Sequence, residues 1–201
     1  MGNREDLLAG AKRCLHEKGY LRTSARDIAA AAGTSLAAIG YHFGSKEALL
    51  NAALIEAGEE WGEELERTLK ADLDPAADPM ERFEAIWTRV VESFTTHRDM
   101  WATQFKILAE IKDLPGSEQL VESLRRGRLE LGAMLQQLDP AADRRQAWLV
   151  GSFYQALLTG MLAQWLTDPE QALSAEELTD ALRTIVTGVG PADPAGAASV
   201  G

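Results

Sequence analysis

The sequence predicts an all-α protein, with a small N-terminal helical domain and a larger helical body. Three observations carry this reading. Apolar residues recur at i, i+3 and i+4 in one segment after another, the spacing that lines up one face of a helix. Helix stops and starts separate these segments, among them Gly19, Gly33, Asp78-Pro79-Met80-Glu81 and Leu114-Pro115-Gly116. No segment is β-rich and no internal repeat is visible. Hydrophobic residues are 46% of the 201, which suits a packed core and not a disordered chain.

The first helix is expected from Glu5 to Lys18, with Leu7, Leu8, Ala11, Cys14 and Leu15 on one stripe. Cys14 reads as a buried, inert thiol or as a redox sensor; as the only cysteine it excludes an internal disulfide framework. Thr23 or Ser24 caps a second helix, about Ser24 to Ala32, in which Ile28, Ala29 and Ala32 repeat. Gly33 ends it, because a chain leaving a helix needs a residue that tolerates positive φ. Thr34 and Ser35 are the next capping candidates, for a third helix to about Tyr41 with Leu36 and Ile39 facing inward and Phe43 in the core. Ser45 caps a long connector, Lys46 to about Asp72, with Trp61, Leu65 and Leu69 on one side.

The break at residues 74–78 precedes a strong helix start at Asp78-Pro79, for a helix to about Thr96. Asp99 is expected to cap the next helix, and another spans about Ser117 to Leu138. Asp139-Pro140 opens a helix of about Ala141 to Thr167 that is apolar all round, which means burial on more than one face. Gly151, Ala156, Gly160 and Ala163 would let another helix approach it closely. Ser174-Ala175-Glu176-Glu177 is a capping box for the last helix, to about Val189. The expected domains are residues 1–45, a body of 46–189 and a disordered tail of 190–201.

The net charge of −11 hides an asymmetry. Residues 1–46 hold seven Lys/Arg (Arg4, Lys12, Arg13, Lys18, Arg22, Arg26, Lys46) against four acids (Glu5, Asp6, Glu17, Asp27). The remainder holds 13 basic and 27 acidic residues. A basic head on an acidic body either directs only the head toward phosphates or is ordinary surface, and charge alone leaves both readings open. No apolar run is long enough to span a membrane, and a cytoplasmic protein is expected.

Helix, glycine-containing turn, helix is the helix-turn-helix pattern. In that arrangement the second helix crosses the DNA backbone and the third enters the major groove. Candidate DNA contacts are Arg22, Thr23 and Ser24 before the second helix, and Thr34 and Ser35 before the third. Ala37 and Ala38 offer only apolar contact, for instance with a thymine methyl. Tyr41, His42 and Lys46 complete the set. His42 has two open readings, a phosphate donor or a helix-end residue bonding the last carbonyls.

The run Gly19-Tyr20, Thr23-Ser24, Asp27-Ile28-Ala29, Ala32-Gly33-Thr34-Ser35, Ile39, Tyr41-His42-Phe43 and Ser45-Lys46-Glu47-Ala48-Leu49 resembles the N-terminal domain of the TetR/AcrR family of helix-turn-helix transcriptional regulators. About fifteen positions match in order over about thirty residues. One position departs: where the family usually has Tyr-x-His-Phe, with a Tyr that touches phosphate, this chain has Gly40-Tyr41-His42-Phe43. The resemblance implies a homodimer on a palindromic double-stranded operator, most simply a repressor released by a small, largely apolar effector. It implies a dimer interface on the last two helices, for which Trp148, Tyr154, Met161 and Trp165, then Leu178, Leu182 and Ile185, are the candidates. Aromatic residues concentrate in the middle helices, and the candidate effector walls are Trp87, Val91, Phe94, Trp101 and Phe105, with Leu124, Phe153 and Leu157. An apolar pocket and ordinary core both remain open for these positions.

Two other classes compete with this one. An enzyme finds no support: His16, His42 and His97 are scattered, no metal-ligand spacing, phosphate loop or nucleophile motif occurs, and no catalytic residue, metal or cofactor is assigned. The second is a helix-turn-helix protein whose body only dimerises or recruits a partner, with no small-molecule sensing.

Overall fold

A computed structural model describes residues 4–72, 77–136, 138–139 and 141–188. Among these, the chain forms nine α-helices and no strand. The head holds α1 (Arg4–Lys18), α2 (Ala25–Ala31) and α3 (Leu36–Phe43). A 27-residue helix, α4 (Lys46–Asp72), leaves the head for the body. The body continues with α5 (Pro79–Thr96), α6 (Arg98–Glu110), a short 3-10 turn (Ile111–Asp113), α7 (Ser117–Gln136), α8 (Arg144–Thr167) and α9 (Ala175–Thr187). The expected tail at 190–201, residues 74–76 of the expected break, and Pro140 lie outside the described residues.

Local signals set several helix starts. Asp78 and Ser174 each form a full capping box, with Glu81 and Glu177 returning the bond to the cap N–H. Asp99 does not cap α6; His97 stands at the N-cap without a side-chain bond, and Asp99 faces His16 instead. Asp143, not Asp139, caps α8, so that helix starts at Arg144. Asp139 bonds the Ala141 N–H at 2.8 Å and closes a turn ahead of the helix.

Two buried clusters hold the molecule. The first gathers Leu7, Leu8, Cys14 and Leu15 of α1, Ile28 of α2, Ile39 of α3, and Leu49, Leu50 and Leu54 of α4. It also takes in Ile107, Leu114 and Leu120 from the body, so the head shares its core with α6 and α7. The second packs Leu65, Phe83, Trp87, Phe94, Trp101, Tyr154, Met161 and Leu178. Leu36 was expected to face inward with Ile39, but it is 49% exposed. It begins α3, and the inward stripe of that short helix runs on from Ile39 to the half-buried Phe43.

Helices α7 and α8 pack backbone to backbone. A Cβ at Gly151 would stand 1.6 Å from the Arg128 carbonyl oxygen, and one at Gly132 would stand 2.3 Å from that of Ala147. Gly62 of α4 has open space around it. Gly151→Ala should therefore lower stability by several kcal/mol, about 3 or more, as overpacking with a backbone shift does. Gly62→Ala should raise it by about 0.5–1 kcal/mol through the helix propensity of alanine. Urea titration followed by circular dichroism distinguishes the two.

Candidate nucleic-acid interface and the cavities of the body

The head is built around the α2–α3 corner. Ser24 caps α2, accepting from the Asp27 N–H and donating to Asp27 Oδ2 at 2.7 Å. Asp27 in turn binds the Lys18 ammonium at the end of α1. Its carboxyl is held well below the usual carboxylate range, first by the Lys18 hydrogen bond and then by those from Ser24. Gly33, with φ of +62°, turns the chain into α3.

The structure redistributes the expected DNA contacts. Thr23 is corrected from a reader to a support: it is buried, and its Oγ1 lies 2.7 Å from Gly19 O and 3.2 Å from Cys14 O, at the last carbonyls of α1. Ala38 packs partly against the core. Arg22, Ser24, Ser35 and Ala37 are exposed, and Thr34 is half-buried. Ser35 stands at the α3 N-cap without making the expected side-chain bond. Tyr41 is 86% exposed and meets the half-buried His42 edge to face at 4.9 Å. Lys46 donates to Thr23 O at 3.1 Å, tying the start of α4 to the start of α2. Ser45 caps α4 by accepting from the Ala48 N–H at 3.0 Å.

Charge pairing divides the basic residues of the head. Lys12 is held by Glu56 and Glu60 of α4 at 2.8 and 2.7 Å, and Lys18 by Asp27. Arg26, exposed on α2, makes no hydrogen bond or ion pair among the described residues. It belongs to the basic excess of the head but not to the expected contacts, and its place as a cation on the first helix of the helix-turn-helix is the signal that the sequence carries. Arg4 lies over the Phe43 ring at 5.1 Å, and Arg22 bonds the Lys18 carbonyl at 2.9 Å while staying exposed.

One fully buried polar group joins head and body. Asn51 of α4 accepts from the Tyr20 hydroxyl at 2.7 Å and donates to the carbonyls of Pro115 and Gly116 at 2.9 and 3.2 Å. Burial pushes the Tyr20 hydroxyl up to about 12. Cys14 is buried, and burial raises its thiol too, which fits the inert reading.

The expected effector walls pack largely against one another and their neighbours. Trp87, Phe94 and Trp101 are buried in the second cluster, with Phe94 5.5 Å from Trp101 and 5.8 Å from Trp165 between ring centres. Val91, Phe105 and Leu157 pack half-buried against it, and Leu124 is half-buried on α7. Phe153 is exposed and lines a groove on the surface of the body. That groove, of about 320 Å³, lies among Phe83, Val150, Tyr154 and Leu182 of α5, α8 and α9. A second concavity of about 230 Å³ lies where α1 meets α4 and α6, against Leu15, His16, Trp61, His97, Asp99 and Met100. Trp87, which stacks on Tyr154 at 6.3 Å, has an indole N–H with no hydrogen-bond partner among the described residues.

The expected dimer contacts also divide. Tyr154, Met161 and Leu178 are buried inside the protomer, so they cannot face a partner. Trp165 and Leu182 are half-buried against the same cluster. Trp148 and Ile185 are exposed, at 44% and 76%, joined by Leu149, Phe153 and Val186.

Residues 7–53 match the family model for bacterial regulatory proteins of the tetR family. Two similar curated proteins are HTH-type transcriptional repressors AcnR, from Corynebacterium efficiens at 42% identity over 52 residues and Corynebacterium glutamicum at 44% over 50. These matches take in 26% and 25% of this chain, and the chain spans only 28% and 27% of the relatives' length. The fold as a whole is similar to that of a putative TetR-family regulator from Mesorhizobium loti, with a TM-score of 0.66 at 19% identity over 92% of this chain and 93% of that one. It is also similar to Thermus thermophilus FadR in complex with lauroyl-CoA, with a TM-score of 0.65 at 21% identity over 99% and 100% of the two chains.

Two predictions follow from the head. Tyr20→Phe leaves Asn51 without its buried donor and should cost about 1–3 kcal/mol in urea unfolding. Asp27, with its depressed pKa, contributes stability that is complete above about pH 4, the value of an unfolded aspartate, and is lost as pH falls through the folded value. Asp27→Asn should therefore flatten the acid limb of stability against pH, measured by denaturant titration at successive pH values. The capping box, the glycine turn and the core behind α3 build a helix-turn-helix head whose residues 7–53 match the model of the tetR family of bacterial regulatory proteins, and the fold of the whole chain is similar to that of a TetR-family regulator.

Proposed function

We propose that the chain is a DNA-binding transcriptional repressor that acts as a homodimer in the cytoplasm, on a palindromic operator, and is released by a small, largely apolar effector. The observation that carries the DNA reading is the outer face of the α2–α3 corner. There Ser35, Leu36, Ala37 and Tyr41 stand exposed beside the cations Arg22 and Arg26, with a capped helix start at Ser45-Lys46. That face offers phosphate contacts on its flanks and a short reading surface between them. The described HTH-type repressors and the matched regulatory family support the same reading.

Dimerisation is supported by the apolar surface left on α8 and α9, where Trp148, Leu149, Ile185 and Val186 have no partner within the protomer's two clusters. Two copies joined there would read two half-sites. Sensing is supported by the groove beside Phe83 and Tyr154 and by the unpaired Trp87 indole nearby, which asks for an acceptor. FadR in complex with lauroyl-CoA is a similarly folded protein that holds a small molecule. The dense packing of Phe94 and Trp101 favours a second reading, in which the body only dimerises or recruits a partner.

Fluorescence anisotropy with duplex DNA from upstream of the coding region tests the proposal. Two protomers should bind per site, in preference to random DNA. Arg26→Ala should weaken binding to all sequences and reduce the salt slope by about one. A ligand found by thermal shift should lower operator affinity about 5- to 150-fold. Equal affinity with and without bound ligand selects the second reading, and equal affinity for random DNA overturns the first.

A further inference from the structure

The core pattern of α3 runs through Ile39 and Phe43, and Leu36 is left outside it at the first turn, half in solvent. A large apolar side chain facing water is unfavourable unless something covers it. Around Leu36 the reading face is poor in hydrogen-bonding groups. Ala37 is exposed next to it, Ala38 leans on the core, and Gly40 carries no side chain. Ser35 at the N-cap is the single hydroxyl on that turn. Arg22 and Arg26 are exposed cations on the preceding segment and α2, which packs against α3. The charge fits a polyanion, and the apolar centre fits something apolar displayed between two rows of phosphates.

The major groove of DNA offers one such group, the C5 methyl of thymine. We propose that Leu36, with Ala37 beside it, is the specificity-determining contact of α3, and that it reads a thymine methyl in each half-site. This rests on the DNA-binding function proposed above. The same contact discriminates against the other bases. Leucine placed on the N7 edge of a purine, or on the O6 of guanine, removes water from an acceptor and returns no hydrogen bond. Cytosine offers a bare C5–H and an amino donor that Leu36 cannot answer. Methylated cytosine restores the methyl at the same position.

The test begins by enriching sites from a random duplex pool with the full-length protein. Each thymine of the enriched half-site is then replaced singly by deoxyuridine, which removes only the methyl, and binding is measured by anisotropy. One position per half-site should lose about 4-fold in affinity per methyl, the worth of one buried CH₂-sized group. In Leu36→Ala, whose site is exposed and whose fold should be unaffected, that position should respond less than about twofold. At the same position a 5-methylcytosine·guanine pair should bind tighter than cytosine·guanine. A site that is enriched yet indifferent to every deoxyuridine overturns the methyl contact and leaves the regulator function standing. Deoxyuridine sensitivity that persists in Leu36→Ala overturns the assignment to Leu36. If no sequence is enriched, the proposed function falls, and this contact with it.

Discussion

The buried amide of Asn51 is the constraint on which the rest of the architecture leans. Its oxygen holds Tyr20 at the end of the first helix, and its nitrogen holds the Pro115–Gly116 turn between α6 and α7. A buried amide cannot exchange these partners for apolar neighbours without leaving a polar atom unsatisfied. Two segments far apart in sequence are thereby fixed to one point on α4. The apolar cluster around them spans the same boundary, since Ile107, Leu114 and Leu120 pack with Leu7, Ile28 and Leu49. The head is consequently not a bead on a flexible linker. Its orientation is set by the body, and a displacement of the 115–116 turn is felt at Tyr20.

Electrostatics adds a second tie and a division of labour. Lys12 is drawn back onto α4 by Glu56 and Glu60; burial is the largest single influence and works against its charge, but the hydrogen bonds and Coulombic attraction of the two glutamates together outweigh it and raise its pKa. Lys18 is likewise retained by Asp27. The lysines at these positions hold the head together, and the exposed arginines are left for solvent or phosphate. The acidic excess of the body then matters less than it looks, because charges beyond about one Debye length, about 8–10 Å, are screened at physiological salt.

The helices were legible where a local rule decides them. Asp78-Pro79 and Ser174 start helices in the expected way, and Gly33 turns the chain where the pattern asked for positive φ. The site was less legible where two faces compete for the same residues. The stripe on α3 could not distinguish Ile39, which packs, from Leu36, which does not, because both lie at helical spacing and the helix is only eight residues long. On α8, apolar all round, sequence could not sort the buried Tyr154 and Met161 from the exposed Trp148 and Leu149. Whether Trp87 and Phe94 wall a cavity or fill a core depends on helix spacings that no local pattern encodes.

The contact of Gly132 and Gly151 bears on how the body can move. Two helices separated by side chains can slide by exchanging rotamers, which is the shear mode of domain motion. Here carbonyl oxygens occupy the space where side chains would act as bearings. A sliding step would drive backbone into backbone, so α7 and α8 travel as one rigid wedge.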